Sequence, residues 1–423
     1  MVIRYLPRTA DVELNLDLEA LGAVLITGPK WCGKTTTALQ VAKSVVKVDD
    51  FVSDVKTSGF EEIAPASLLK GERPHLIDEW QLAPKVWDLV RREVDNSDEP
   101  GAFILTGSVA TDFRKVLHTG AGRIGRLHMR TMSLFESGNS SGDVSLGSMF
   151  EGQDIGISGY SDCDTECIAR LLTRGGWPAA IGKSEAAAQR IVESYCGSII
   201  EGDARWPDGH KHNPEKMRAV LSSLARNSAT SAPRSKILED VEDRGIRMHE
   251  NTLDNYIRDL RKTFVIEDLD AWCPKLRSKT TVNSSPTRHL TDPAIAAWML
   301  DAHPEDLLSD FETFGLLFES MAVRDLRSYA QAIGGKVHHY RDSEGLESDT
   351  IIHLNNGRWA AVEIKLGSEA GIESGAKNLR SLERKVDDTY RNKLAFKAIV
   401  TATKAAYTRD DGVHVIPLAC LRP

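Results

Sequence analysis

The chain has 423 residues, 41% hydrophobic and 27% charged, which is the balance of a soluble globular protein long enough for two to four domains. A formal charge of −8 excludes a uniformly basic nucleic-acid coat but leaves room for a local basic face. No apolar run approaches the ~20 residues of a membrane span, and residues 1–7 are not a signal peptide, so no membrane association and a cytoplasmic location are expected. The cysteines at 32, 163, 167, 196, 273 and 420 include one close pair but no zinc pattern, so free thiols are expected.

Residues 9–21 read as a short amphipathic lead-in that ends at Gly22. The apolar run Ala23-Val24-Leu25-Ile26 predicts a buried strand. Gly28-Pro29-Lys30-Trp31-Cys32-Gly33-Lys34-Thr35 follows, then a segment from Thr36 with helical character. Strand, glycine loop and helix in this order make a phosphate-binding loop. Gly28 and Gly33 let backbone N–H groups curl around a polyphosphate, and a helix starting at Lys34 aims its positive end at the same place. Lys34 is expected on the β- and γ-phosphates and the Thr35 hydroxyl on a magnesium ion.

Val45-Val46-Lys47-Val48 is a second candidate strand, and Leu76-Ile77-Asp78-Glu79 is a short third one ending in two carboxylates. Such an ending about forty residues past a P-loop suits a Walker B element. Asp78 then binds the magnesium through water, and Glu79 polarises the attacking water. Ala102-Phe103-Ile104-Leu105 ends in hydroxyls, so Thr106 or Ser108 is expected beside the γ-phosphate at the carboxyl edge of a doubly wound sheet. The nucleotide set is therefore Gly28, Pro29, Lys30, Trp31, Cys32, Gly33, Lys34, Thr35 and Thr36, with Ser108.

The loop with Gly-Pro-Lys, Ile-Asp-Glu-Trp-Gln at 77–81, Leu-Thr-Gly-Ser at 105–108, Ala-Gly-Arg at 121–123 and Met-Ser-Leu-Phe-Glu at 132–136 together resemble prokaryotic AAA+-type ATPases that carry a C-terminal domain of unknown function. The resemblance implies ATP as the nucleotide and a homo-oligomer such as a ring. It also implies that Arg123, within its Ala-Gly-Arg, reaches a neighbour's γ-phosphate as an arginine finger, with Arg126 close by.

Residues 137–161 are rich in Gly, Ser and Asp and read as a long, mobile loop. The helical stretches on either side of Arg174-Gly175-Gly176-Trp177-Pro178 suggest a small lid, with Arg174 either a second arginine on the nucleotide or a helix-end surface charge. Between about 214 and 272 the pattern changes to short helices, and three helices followed by Phe264-Val265-Ile266-Glu267-Asp268-Leu269 are compatible with a winged helix-turn-helix. Its third helix offers Asn251, Asn255 and Arg258 to a DNA groove. Glu250, Asp254 and Asp259 offset its basic residues, which leaves protein packing as the other use.

The last segment holds a second constellation. Two strands, 347–354 and 358–365, are joined by Asn355-Asn356-Gly357, and a three-residue loop pairs 354 with 358. Asp349 then falls opposite Glu363, and the two-residue period puts Lys365 on the same face. Asp349 and Glu363 are a metal pair and Lys365 the group that activates water, the equipment for magnesium-assisted phosphodiester cleavage. Asp349, Glu363-Ile364-Lys365 and the helical Glu319 resemble the PD-(D/E)xK nuclease pattern, with Ser348 where that pattern often has an apolar residue. Lys377, Arg380, Arg384, Lys385, Arg391, Lys393 and Lys397 then form a basic surplus suited either to a phosphate backbone or to a solvated face.

The expected architecture is α/β. It comprises an AAA+-like P-loop core at 1–136, a loop and helical lid at 137–210, a helical, winged-helix-compatible segment at 211–275 and a restriction-endonuclease-like α/β domain at 276–423. The expected function is ATP hydrolysis with Mg2+, coupled to action on nucleic acid, DNA included, through the last domain. The alternative is an ATP-controlled protein-binding switch whose nuclease-like domain is silent.

Overall fold

The structure is a computed structural model that describes residues 5–50, 65–97, 99–109, 120–152, 157–202, 212–273 and 285–423. The boundaries expected at 210 and 275 lie outside these residues. The described chain forms two compact units, one made of residues up to Thr131 together with Asp259–Val265, the other of the remainder.

The first unit is built on a five-stranded parallel sheet of β1 (Ala23–Thr27), β2 (Ser44–Lys47), β3 (His75–Asp78), β4 (Phe103–Gly107) and β5 (Ile124–His128), in the order β2-β3-β4-β1-β5. β4 lies between β1 and β3, in register Thr27↔Gly107 and Ile77↔Leu105. Because every pairing is parallel, Thr27, Asp78, Gly107 and His128 all end at one edge. β1, β3 and β4 are covered on both faces, which is why they read as continuous apolar runs rather than alternating ones.

Successive residues feed opposite layers. Leu25 packs with Trp80, Trp87, Phe103 and Leu105, whereas Val24 and Ile26 pack with Leu14, Leu76, Ile104 and Leu127. Each such buried aliphatic side chain contributes about 1.5–3 kcal/mol. Helix Lys85–Asp95 supplies Val86, Trp87, Val90 and Val94 from one stripe, and helix Ala10–Ala20 supplies Ala10 and Leu14. His75, a polar residue in a buried strand, is satisfied by Ser44 Oγ at 2.6 Å and the Leu68 carbonyl at 3.0 Å.

The second unit carries a seven-stranded mixed sheet. Its strands are β7 (Gly159–Tyr160), β8 (Gly335–Arg341), β9 (Glu347–Leu354), β10 (Trp359–Lys365), β11 (Leu394–Thr401), β12 (Ala405–Thr408) and β13 (His414–Pro417), in the order β7-β12-β13-β11-β10-β9-β8. β9 and β10 pair antiparallel with Trp359↔His353 through Val362↔Thr350, the register that the three-residue loop dictates. Helix Glu369–Lys385 buries Ile372, Ala376, Leu379 and Leu382 against Trp359, Ala361 and Ile399.

Residues 137–152 are not a free loop: β6 (Val144–Ser145) pairs with β14 (Leu421–Arg422), and Ser140 Oγ and Ser145 Oγ donate to the carbonyls of Leu421 and Pro423. Backbone groups that look unpaired in a polar segment are thus satisfied by the far end of the chain. Cys163 and Cys167 form a disulfide rather than remaining free thiols. The Asp164 side chain caps the helix Thr165–Arg174 and turns the chain so that their Cα atoms lie 5.2 Å apart. Much of the basic surplus is neutralised, with Arg380 on Glu373 and Asp411, Lys385 on Asp342 and Glu344, Arg391 on Asp388, and Lys397 on Glu383.

Helices Pro214–Arg226, Arg234–Glu242 and Glu250–Lys262 follow one another, the three helices that the sequence suggests. Antiparallel bridges join Thr230 to Arg288, Ile266 to Leu290 and Leu269 to Thr287. Between the first two helices, the buried Asp240 carboxylate accepts from Ser223 Oγ at 2.8 Å and Asn227 Nδ2 at 2.9 Å.

Candidate functional site

The phosphate loop leaves β1 through Gly28 (φ 148°) and closes at Gly33 (φ 105°), both in regions that favour glycine. A Cβ on Gly28 would lie 2.1 Å from the Met129 carbonyl oxygen, so the loop rests directly on the backbone that follows β5. Lys34 is buried, its Nζ donating to the carbonyls of Gly28 at 3.0 Å and Pro29 at 2.8 Å. The helix after it, Lys34–Ala38, has only five residues, shorter than the sequence suggests. The loop's own amides and Lys34, more than a helix dipole, therefore set the local field. Within the loop Cys32 is fully buried, whereas Trp31 is about half exposed at φ 64°. Thr36 is exposed, and its carbonyl accepts from Gln40 Nε2.

Thr35 Oγ1 donates to Asp78 Oδ1 at 2.7 Å, so the two expected magnesium ligands are in contact. Thr106 Oγ1 donates to the same oxygen and accepts the Glu79 N–H at 3.2 Å. Ser108 Oγ donates to Glu79 Oε2 at 3.1 Å, and Gln81 Nε2 donates to that oxygen as well. Glu79 itself sits at φ 56°, ψ 45°, the left-handed region that non-glycine residues adopt rarely. The two hydroxyls that the sequence leaves as alternatives thus take different partners, Thr106 the Asp78 carboxylate and Ser108 that of Glu79.

Arg123 does not approach this site within its own chain. It precedes Ile124, which pairs with Ala23 at the opposite edge of the sheet, and its Nε donates to Asp95 Oδ1 at 2.7 Å. Arg174, in the second unit, donates to Asn139 Oδ1 at 2.8 Å and to the Gly175 carbonyl. Sequence reading missed Arg8 and Gln81. Arg8 is only 7% exposed and donates to the Cys32 carbonyl inside the loop at 2.6 Å.

The second unit gathers the other expected group. Lys365 Nζ lies 3.0 Å from Asp349 Oδ2 and 2.9 Å from Glu363 Oε2, and the Ile364 N–H donates to Asp349 Oδ2 at 2.8 Å. Gly375 on the covering helix makes room, since a Cβ there would lie 3.3 Å from the Glu363 Cβ. Burial, with the Asp349 charge beside it, pushes the Glu363 carboxyl up to about 8, offset by Lys365. Burial and then Asp349 likewise raise Glu319. Glu363 Oε1 is buried with no hydrogen-bond partner. Ser348 is buried, its hydroxyl donating to the Val362 carbonyl at 3.3 Å, which explains how a polar residue is tolerated there. Among the described residues no three His, Cys, Asp or Glu side chains are gathered as a metal cage.

A parallel sheet with a glycine loop, lysine and threonine at the end of one strand and two carboxylates at the end of another defines a P-loop nucleotide-binding unit. Residues 21–137 match the family model described as AAA domain. Residues 165–306 match the domain of unknown function DUF8612, and residues 314–421 the domain of unknown function DUF4143. An uncharacterized protein of Mycobacterium bovis and one of Mycobacterium tuberculosis are each 23% identical over 97% of this chain and 83% of their own length. A Walker-type ATPase of Pyrococcus abyssi aligns at 15% identity over 71% of this chain and 100% of its own, with a TM-score of 0.40. No helix among the described residues is long and apolar enough to cross a membrane.

Proposed function

We propose that the chain is a Mg2+-dependent, oligomeric ATPase whose C-terminal domain acts on nucleic acid. The observation that carries the ATPase reading is the hydrogen-bonded chain Thr35–Asp78–Thr106–Glu79–Ser108 at the mouth of the phosphate loop. Thr35 and Asp78 present the hard oxygen donors that suit Mg2+, which when bound neutralises charge on the β- and γ-phosphate oxygens. Lys34 leaves the Gly28 and Pro29 carbonyls for the phosphates, an exchange of neutral for charged acceptors that favours occupancy. Glu79 takes the proton side of the attacking water, held in direction by Ser108 and Gln81. Arg123 of an adjacent copy completes the site. ATP turnover by the purified chain tests this. It should vanish in Lys34→Ala, and turnover surviving unchanged in Glu79→Gln would remove that residue from its role.

For the C-terminal domain, the reading rests on one buried, unpartnered carboxylate oxygen, Glu363 Oε1, beside Asp349 and Lys365. Such an oxygen costs about 1–3 kcal/mol unless something charged or hydrogen-bonding meets it, and a divalent cation fits. Asp349 and Glu363 would hold that cation, and Lys365 would orient the water. The bridges Thr230↔Arg288 and Leu269↔Thr287 support a winged-helix reading of the middle segment. Incubation with plasmid and single-stranded DNA plus Mg2+ or Mn2+, alongside Lys365→Ala, separates the rivals. Cleavage lost in the variant supports the nuclease, and absence of cleavage with either metal supports the ATP-controlled protein-binding switch.

A further inference from the structure

We propose that Arg8 is a positioning residue of the phosphate loop, setting which way the Cys32–Gly33 peptide faces and thereby how tightly nucleotide binds. This rests on the ATPase reading above. The Arg8 guanidinium donates through Nη1 to the Cys32 carbonyl at 2.6 Å and through Nη2 to the Arg130 carbonyl at 2.8 Å. One planar fork therefore ties the loop to the backbone beneath it, where Gly28 already rests on Met129 and Cys32 Sγ donates weakly to the Met129 carbonyl.

The consequence follows from peptide geometry. In a trans peptide the C=O and the next N–H point in opposite directions. Holding the Cys32 oxygen toward Arg8 turns the Gly33 N–H away from Arg8, into the curl where a polyphosphate is bound. Without that anchor the peptide is free to flip about Gly33, whose φ of 105° already lies in glycine-only territory.

Arg8 is in turn held by a strap. Its own N–H donates to Asp11 Oδ2 at 2.8 Å, and Tyr5 Oη donates to Asp11 Oδ1 at 2.6 Å. Tyr5 Oη also meets Thr37 Oγ1, on the helix that follows the loop, at 3.1 Å. Burial and the adjacent Asp11 raise the Tyr5 phenol, so it remains a donor. The strap thus grips the loop at its turn and at its following helix.

ATP binding and steady-state turnover of the full chain are measured for wild type, Arg8→Ala, Arg8→Lys and Asp11→Asn, with Lys34→Ala as the dead-site reference. Losing one charge-assisted organiser of an amide should raise Kd and KM for ATP about tenfold in Arg8→Ala while kcat stays within about threefold. Added guanidinium ion should restore part of the loss. Arg8→Lys, a point charge unable to span both carbonyls, should recover less than half of it. Asp11→Asn leaves the guanidinium intact and loosens the strap, so a rise of about threefold in KM is expected, and it decides the matter if Arg8→Ala does not fold. Unchanged Kd in Arg8→Ala or, failing that, in Asp11→Asn overturns the assignment, as does a fall in kcat with KM unmoved. If wild type binds no more ATP than Lys34→Ala, the ATPase reading falls first and the assignment with it. If wild type turns over and the Arg8 variants match it, only the assignment falls.

Discussion

Glu79 leaves β3 in a left-handed conformation that costs a non-glycine residue of order 1 kcal/mol, and Thr106, Ser108 and Gln81 together hold it there. Strain retained at a strand end beside a phosphate loop is consistent with a side chain aimed for chemistry. Glu79→Gln keeps the shape and removes the proposed base, so ATP affinity should be preserved while single-turnover hydrolysis falls by about 10²–10⁴. Loss of binding instead would mean that the residue holds the loop together. A second single-residue effect concerns stability. His289 is fully enclosed, and burial, helped by Arg327 and His339 and opposed by Glu267, brings its pKa from 6.5 down to about 3. Between those values the unfolded chain binds a proton that the folded chain does not. Stability is therefore intact above pH 6.5 and declines as pH falls, by up to about 1.4 kcal/mol per pH unit for one proton. His289→Gln should flatten the denaturant-midpoint profile between about pH 4 and 6.5. The residual slope combines His338, His339 and His353, which burial also lowers, with Glu319 and Glu363, which burial raises and which act in the opposite direction. A slope identical to wild type would remove His289 from this account.

At the scale of elements, helix Phe311–Ala332 is the frame of the second unit. Arg324 lies between Asp292 and Asp325 at 2.9 and 2.8 Å, all three buried. Those carboxylates also accept the N–H groups of Gly176 and Leu134, and Tyr329 Oη accepts that of Phe135. The Met-Ser-Leu-Phe-Glu segment and the Gly-Gly-Trp-Pro turn are thereby fastened to one helix. Arg324→Leu would leave two uncompensated buried carboxylates, and chemical denaturation should show a loss of about 3–5 kcal/mol. A loss under about 1 kcal/mol would mean that the carboxylates are protonated or relaxed toward water. The β9–β10 register was legible beforehand because loop length alone sets which residues face each other. The fastening of residues 137–152 was not, because its acceptors on β14 lie at the other end of the chain.

For the whole molecule, the decisive quantity is the number of copies. Arg123 and its own phosphate loop occupy opposite edges of a sheet whose strands are roughly 15 Å long. Any contact of Arg123 with a nucleotide would therefore have to be made across a subunit boundary. Light scattering should report a mass increase on adding ATP, and Arg123→Ala should lower turnover by about 10³. An equal mixture of Arg123→Ala and Glu79→Gln should regain activity, since each copy lacks what the other supplies. No recovery, with both variants still assembling, would argue against action across a subunit boundary.

The linear chain by itself determined the glycine loop with Lys34 and Thr35, the carboxylates of Asp78 and Glu79, and the pairing of Asp349 with Glu363. Each of these depends on spacing within one strand, turn or hairpin, and local backbone geometry transmits such spacing directly. Only the tertiary structure decided that Arg8 grips the Cys32 carbonyl, that Thr106 and Ser108 divide the Asp78 and Glu79 carboxylates between them, and that acids from other elements cancel much of the basic helix face. Those outcomes turn on which distant groups desolvate together, and a carbonyl acceptor, carried by every residue alike, leaves no mark in the order of side chains.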